Sequence, residues 1–120
     1  MFPGGRLSTT ERDALDRLAA HEPPALSAIS LWEAQMLAAK GRFAPTDGFE
    51  AWLRLAASPE TVRLLPLDVN VVLELERLPA RFHGDPADRV IVATARVHGL
   101  RLASRDRHIR HSRVVPIWSP

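Results

Sequence analysis

Short apolar runs alternate along the chain with longer segments in which apolar residues recur at helical spacing. The apolar runs have the length and composition of buried strands and lie at residues 25–29, 62–67, 100–104 and 114–118. The segments with helical periodicity lie near residues 8–22, 30–40, 46–56, 68–78 and 86–98. The pattern therefore predicts an alternation of helices and strands.

Local capping signals set the boundaries of the predicted helices. Ser8 with Glu11 and Ser30 with Glu33 each fit the capping box, in which a hydroxyl and a carboxylate close the first helical turn. Pro86 suits the first position of a helix. The remaining signals are Thr46 or Asp47, Asp68 and Asp85 at helix starts, and Gly41 and Gly99 at helix ends.

Strands that alternate with helices are typical of an α/β fold with a mostly parallel sheet flanked by helices. A length of 120 residues suits one domain spanning residues 1–120. In such folds a helix that follows a strand begins at the carboxyl edge of the sheet, where ligands bind. We therefore expect the functional residues at that edge.

The composition excludes several classes of protein. Hydrophobic residues make up 46% and charged residues 25%, as in soluble globular domains. The absence of cysteine excludes disulfides, zinc–thiolate sites and thiol catalysis. No apolar run is long enough to span a bilayer, and the N-terminal residues show no signal-peptide pattern. The sequence thus predicts a cytoplasmic protein with no membrane partner.

The C-terminal part of the chain is strongly basic, although the net charge of the whole chain is only +2. One acid, Asp106, stands among six arginines and three histidines, which are Arg96, Arg101, Arg105, Arg107, Arg110, Arg113, His98, His108 and His111. Such a cluster is either a solvated tail or a surface that attracts nucleic-acid phosphates, because clustered arginines release counterions. The sequence alone leaves both interpretations open.

Four acids fall at the predicted carboxyl edge. Glu33 lies in the first turn of the helix after strand 25–29, and Asp106 follows strand 100–104. Asp85 and Asp88 lie at the start of the helix that leads into strand 100–104. Each acid also has a structural explanation, as a helix cap or as a charge that suits the positive end of a helix dipole.

The convergence of these acids favours a metal site. Carboxylates that share one edge repel one another unless a cation neutralises them. Hard divalent ions such as Mg²⁺ take oxygen ligands, often carboxylates together with waters. One or two such ions activate water and stabilise a phosphodiester under attack. We therefore expect a divalent-metal site at this edge.

Two stretches resemble a known family. HGDPADRVIVATARVHGLRLASRDRHI resembles the C-terminal half of PIN domains, specifically of the VapC-type ribonuclease toxins of bacterial toxin–antitoxin systems, and LSAISLWEAQMLAAKGR resembles their central motif. The resemblance covers the chain from Leu7 onward. It implies a three-layer α/β fold and a Mg²⁺-dependent endoribonuclease, with Mn²⁺ as an alternative ion. Three of the family's four acidic positions map to Glu33, Asp88 and Asp106, and the resemblance implies that the neighbouring Asp85 is mainly a helix cap. RNA as substrate, a cognate antitoxin protein and a homodimer are also implied.

The first six residues, MFPGGR, depart from the family pattern, in which a hydrophobic strand ends in an aspartate. The sequence therefore predicts a PIN-like domain that lacks its first strand and the fourth carboxylate. Because an incomplete ligand set holds the attacking water loosely, we expect weak Mg²⁺ binding and strongly reduced cleavage from residues 1–120.

Two alternatives to an active ribonuclease follow from the same residues. The first is a catalytically weak or inactive PIN-like module that binds antitoxin or RNA, and the missing first aspartate favours it. The second is a phosphotransfer domain with an acidic cluster. That class needs an aspartate at the end of an early strand and commonly a lysine after a later one, whereas Lys40 lies at the end of a helix and no D-x-D motif is present.

Overall fold

The computed structural model describes residues 10, 23–80, 82, 84–104 and 107–118. In chain order its elements are β1 (Ala25–Ser27), α1 (Ile29–Ala39), α2 (Phe49–Ala56), β2 (Arg63–Leu65), α3 (Val69–Arg77), α4 (Pro86–Val97) and α5 (Arg107–Ser112). Residues 1–6 and the predicted helix near residues 8–22 lie outside the described residues, apart from Thr10, which is helical.

The two strands pair in parallel, as the alternation of strands and helices predicts. In this register Ala25 pairs with Arg63 and Ser27 pairs with Leu65. A hydrogen bond from the Ala28 amide to the Leu65 carbonyl, 2.8 Å long, continues the pairing beyond the end of β1. The chain then enters α1 directly, so the start of α1 lies at the carboxyl edge of the sheet. The mixed α/β fold with a parallel sheet flanked by helices is thus confirmed.

The predicted strands at residues 100–104 and 114–118 are wrong as regular strands. Within the described chain they form one isolated parallel bridge, between Leu102 and Ile117. The Leu102 amide donates to the Pro116 carbonyl at 2.8 Å, and the Trp118 amide donates to the Leu102 carbonyl at 2.9 Å. Pro116 has no amide hydrogen to extend this ladder, which helps to limit the pairing to a single bridge. The apolar residues of both runs are nevertheless largely buried, which explains their strand-like composition.

The α4 helix forms the centre of the core. Seven of its twelve residues are buried, including every residue from Val90 to Ala95. The sheet, the Leu102–Ile117 bridge and Ile109 of α5 contribute to one hydrophobic cluster with α4, and α3 contributes Val71 to a second cluster. The one buried hydroxyl on α4, that of Thr94, donates to the Val90 carbonyl at 2.6 Å and so needs no other partner. Because α4 is packed so completely, residues in its first turn have a rigid base.

Two predicted helix starts are confirmed and two are wrong. Asp68 caps α3 by accepting from the Val71 amide, and Asp85 caps α4 by accepting from the Asp88 amide. Neither Thr46 nor Asp47 caps α2, because this helix starts after Gly48. Gly48 has a φ of 89°, a conformation that glycine tolerates best. The capping box predicted at Ser30 is also absent, because α1 starts after Ala28 and Ser30 lies inside the helix.

No helix in the described part of the chain combines the length and the apolar character needed to cross a bilayer.

Candidate metal centre

Glu33 projects from α1, the helix that follows β1 without a loop. The sequence predicted that Glu33 lies in the first turn of its helix. Because α1 begins at Ile29, however, Glu33 is the fifth residue of the helix and lies beyond the first turn. The Ile29 amide donates to the Ser27 hydroxyl at 3.4 Å, and Ser27 is not part of the predicted capping box. Glu33 therefore does not cap its own helix, and the capping role that the sequence offered for this residue is excluded.

Asp85 and Asp88 lie at the start of α4 and have different surroundings. Asp85 is exposed, and one of its carboxylate oxygens accepts from the Asp88 amide at 2.8 Å. Asp88 is half-buried and stands on a helix whose following residues form the core. The expected division between a capping residue and a candidate ligand thus has a geometric basis.

We expect the Asp85→Ala substitution to lower the free energy of unfolding by about 0.5–2 kcal/mol, because the Asp88 amide loses its acceptor. Its affinity for a divalent ion should stay nearly unchanged. Asp68→Ala is the matched control, since Asp68 makes the same type of cap to the Val71 amide at 3.1 Å. Chemical denaturation and metal titration of both variants test this, and loss of metal binding in Asp85→Ala alone would show that Asp85 is a ligand.

The acids of α1 and α4 act on one another electrostatically. Burial raises the pKa of Glu33 above its ordinary value of 4.5, and the negative charges of Asp88 and then of Asp85 raise this pKa further. The α1 helix packs against α4, which brings these side chains into range. The structure therefore places Glu33 on a helix that packs against the one carrying Asp88, and the approach of their carboxylates to one another remains a prediction.

Asp106, the third predicted ligand, lies outside the described residues, as does the neighbouring Arg105. The residues on either side are described. Ser104 is buried, and the Arg110 guanidinium of α5 donates to its carbonyl oxygen at 3.1 Å. The position of Asp106 relative to Glu33 and Asp88 remains a prediction.

The described residues fit a divalent cation in their chemistry. Carboxylate oxygens are the ligands that Mg²⁺ prefers, and a cation would offset both the burial and the like charges that raise the pKa of Glu33. Ser30, one turn before Glu33, has a buried hydroxyl oxygen with no hydrogen-bond partner among the described residues. A buried hydroxyl of this kind needs a partner such as an ordered water. Within the described residues, however, no group of three acids or histidines could hold a metal.

Two arginines of α4 have structural contacts that the sequence did not reveal. Arg89 donates to the Phe82 carbonyl at 3.0 Å, and Arg96 donates to Glu74 at 2.9 Å and to the Val114 carbonyl at 3.2 Å. The only sequence signal for Arg89 is its place directly after Asp88. The contact between Arg96 and Glu74 joins residues 22 positions apart, which no local pattern can indicate.

Comparison with known proteins agrees with the resemblance found in the sequence. The chain matches the family model of the PIN domain over residues 6–114. It is also 37% identical over 116 residues to Ribonuclease VapC22 of Mycobacterium tuberculosis, an alignment that covers 94% of this chain and 85% of the relative.

A solved structure has a similar fold at low sequence identity. The crystal structure of VapBC2 from Rickettsia felis bound to a DNA fragment from their promoter matches with a TM-score of 0.72 and 15% sequence identity. The match covers 92% of this chain and 85% of that chain. At this level of identity the likeness establishes the fold.

Proposed function

The chain belongs to the PIN domain family, and from this premise we propose that it is a metal-dependent endoribonuclease of the VapC toxin type. In this proposal Glu33, Asp88 and Asp106 hold Mg²⁺, or Mn²⁺ in its place. The observation that supports the proposal best is the packing of α1 against α4, because each of these helices carries a half-buried carboxylate, Glu33 and Asp88. Two half-buried carboxylates from different elements have no capping role in common, whereas a shared cation explains both.

The chain's own residues have distinct tasks in such a reaction. A divalent cation supplies, when bound, Lewis-acid stabilisation of the negative charge that develops on a phosphodiester under attack. Glu33 and Asp88 provide anionic oxygens in a half-buried setting, where a charge interaction is stronger than in bulk water. The buried residues of α4 hold Asp88 in place, which limits loss of alignment between the carboxylates and the substrate.

Exposed basic side chains near the C-terminus suit an RNA substrate. Arg107, Arg110 and His111 of α5 are exposed, while Ile109 of the same helix is buried in the core and anchors it. Arg101 and Arg113, on either side of α5 in the chain, are exposed as well. Clustered cations bind nucleic-acid backbones without regard to sequence, so we propose that this basic segment binds phosphates and leaves base selection to other residues.

We also propose an antitoxin protein as the partner. A structural neighbour is a VapBC complex, and α1 of this chain exposes large apolar side chains. Apolar residues occur on all sides of α1, yet none of its residues is buried, and Trp32 is 52% exposed. A helix that is apolar all round is normally enclosed by protein. Homodimer formation, as the family resemblance implies, is part of the same proposal.

The test of the enzymatic proposal is cleavage of a fluorogenic single-stranded RNA by the purified chain with Mg²⁺, with Mn²⁺ and with a chelator. We expect slow cleavage that requires the ion and that is lower by about 100-fold or more in Asp88→Asn protein purified in parallel, a control that excludes contaminating ribonucleases. Cleavage that survives the chelator would contradict the metal site. Absence of cleavage at saturating metal, together with RNA or antitoxin binding, would instead support an inactive PIN-like binding module.

A further inference from the structure

The loop that leads into α4 is fastened to the helix by Arg89. The guanidinium of this half-buried residue donates to the Phe82 carbonyl at 3.0 Å and thereby spans seven residues. Phe82 itself is 1% exposed, so its ring fixes the far end of the loop in the core. The Asp85 cap closes the near end by accepting from the Asp88 amide. The loop is thus held at both ends around the first turn of α4.

Gly84 lies between the Phe82 ring and Asp88 with no space to spare. A Cβ atom at position 84 would lie 2.9 Å from Cζ and 3.0 Å from Cε1 of Phe82, and 3.3 Å from Cβ of Asp88. The ring is buried and cannot turn away cheaply, so even a methyl group would push the loop against Asp88. The backbone at Gly84 therefore passes so close to the Phe82 ring and to Asp88 that only glycine fits between them.

We propose that Arg89 is a positioning residue, whose hydrogen bond to the Phe82 carbonyl holds the Gly84 backbone against Asp88 and so fixes the Asp88 carboxylate relative to Glu33. The inference rests on the proposed function, because its importance depends on Asp88 being a metal ligand. Arg89 acts through the loop and need not touch the cation or the RNA. Residues that orient metal ligands typically change metal affinity by about 10–100-fold when removed.

The central variant is Arg89→Met, which keeps the aliphatic bulk and removes the donor. We expect its dissociation constant for Mn²⁺, measured by calorimetry on the folded protein, to rise by about 10–100-fold. The kcat for RNA cleavage should fall while KM changes little. Exchange of the Asp88 amide hydrogen should also become faster relative to amides in the middle of α4, because the loop that carries its acceptor is loosened.

Two further variants separate positioning from charge and from stability. Gly84→Ala changes no charge but presses on the same loop, so it should weaken Mn²⁺ binding in the same direction. Arg96→Met is the matched control, since Arg96 also joins α4 to a backbone carbonyl, 3.2 Å away at Val114, but near the other end of the helix. Its Mn²⁺ affinity should stay within about twofold of the original although its stability falls.

Different failures of this experiment have different meanings. If Arg89→Met keeps the Mn²⁺ affinity but raises KM and weakens the salt dependence, Arg89 contacts phosphate and the positioning role is wrong. Unchanged exchange at the Asp88 amide would overturn the inference whatever the activity. If the unaltered chain neither binds Mn²⁺ nor cleaves RNA, the proposed function fails, and amide exchange still decides whether Arg89 holds the loop.

Discussion

The Asp88→Asn variant is expected to keep its fold and to lose metal-dependent RNA cleavage by about 100-fold or more, the equivalent of about 3 kcal/mol or more in the activation barrier. The substitution removes one anionic ligand but leaves the Asp88 amide that Asp85 caps and the buried face of α4. The stability of α4 should therefore change little, so the loss is specific to chemistry. Cleavage rates at saturating Mg²⁺, with thermal unfolding as the fold check, measure the two effects.

Asp47→Asn is the control for Asp88→Asn, since Asp47 is an exposed loop acid that caps no helix. It should cleave at the original rate. If Asp88→Asn retained more than about a tenth of the activity, a value within the range of an outer-shell residue, Asp88 would not be a direct ligand. Recovery of the lost activity at high Mn²⁺ would mean that only affinity, and not alignment, had been impaired.

Glu33→Gln is expected to have opposite effects on activity and on stability. Glutamine offers a neutral ligand in place of a carboxylate, so cleavage should fall by about 100-fold, as a loss of several kcal/mol of charge stabilisation implies. In metal-free protein at neutral pH the same change should stabilise the fold. The ionised Glu33 is disfavoured there by burial and by the charges of Asp88 and Asp85, and glutamine avoids both penalties.

The pH dependence of this stabilisation has a definite sign. Because the folded-state pKa of Glu33 is raised above 4.5, the folded chain binds a proton at a higher pH than the unfolded chain does. The destabilising contribution of Glu33 is therefore complete above the raised pKa, shrinks as the pH falls through it, and vanishes below 4.5. Denaturation of metal-free original and Glu33→Gln protein across this range should show stability curves that converge at low pH. A constant difference would exclude Glu33 as its source.

Protonation of Glu33 should also weaken metal binding, although it stabilises the metal-free fold. A protonated Glu33 cannot act as an anionic ligand, so affinity for Mg²⁺ should decline as the pH falls through the raised pKa. In Glu33→Gln this part of the pH dependence should be missing, which calorimetry at several pH values can show.

The features that the sequence predicted correctly are those with local causes. An aspartate before a helix accepts from an amide three residues later, and both Asp68 and Asp85 do so. A parallel strand and the helix that follows it can also be arranged in few ways, which is why the order of elements along the chain suffices to predict that α1 begins at the carboxyl edge of the sheet.

The features that the sequence missed depend on competition or on distance. Ser30 has the spacing of a capping residue, but the chain passes from β1 into α1 before reaching it, and the Ser27 hydroxyl meets the Ile29 amide instead. The apolar runs at 100–104 and 114–118 correctly indicate buried residues. A regular strand also needs a neighbouring strand that pairs with it over several residues, and Pro116 limits the pairing between these two runs. The contact of Arg96 with Glu74 joins residues 22 positions apart on the consecutive helices α4 and α3, so it follows only from the packing of these helices.

The single bridge between Leu102 and Ile117 has an evolutionary consequence. It ties together the two ends of the segment that contains α5, and between those ends the buried Ile109 and Val114 anchor the segment to the core, so that extra exposed residues would alter mainly the entropy of closing it. The entropy of closing such a loop grows only logarithmically, by about 0.6 kcal/mol for each doubling of its length. Insertions beside the exposed Arg113, where the backbone already turns at a φ of 58°, would therefore be tolerated. Relatives could acquire new RNA-binding residues there without redesigning the core around α4.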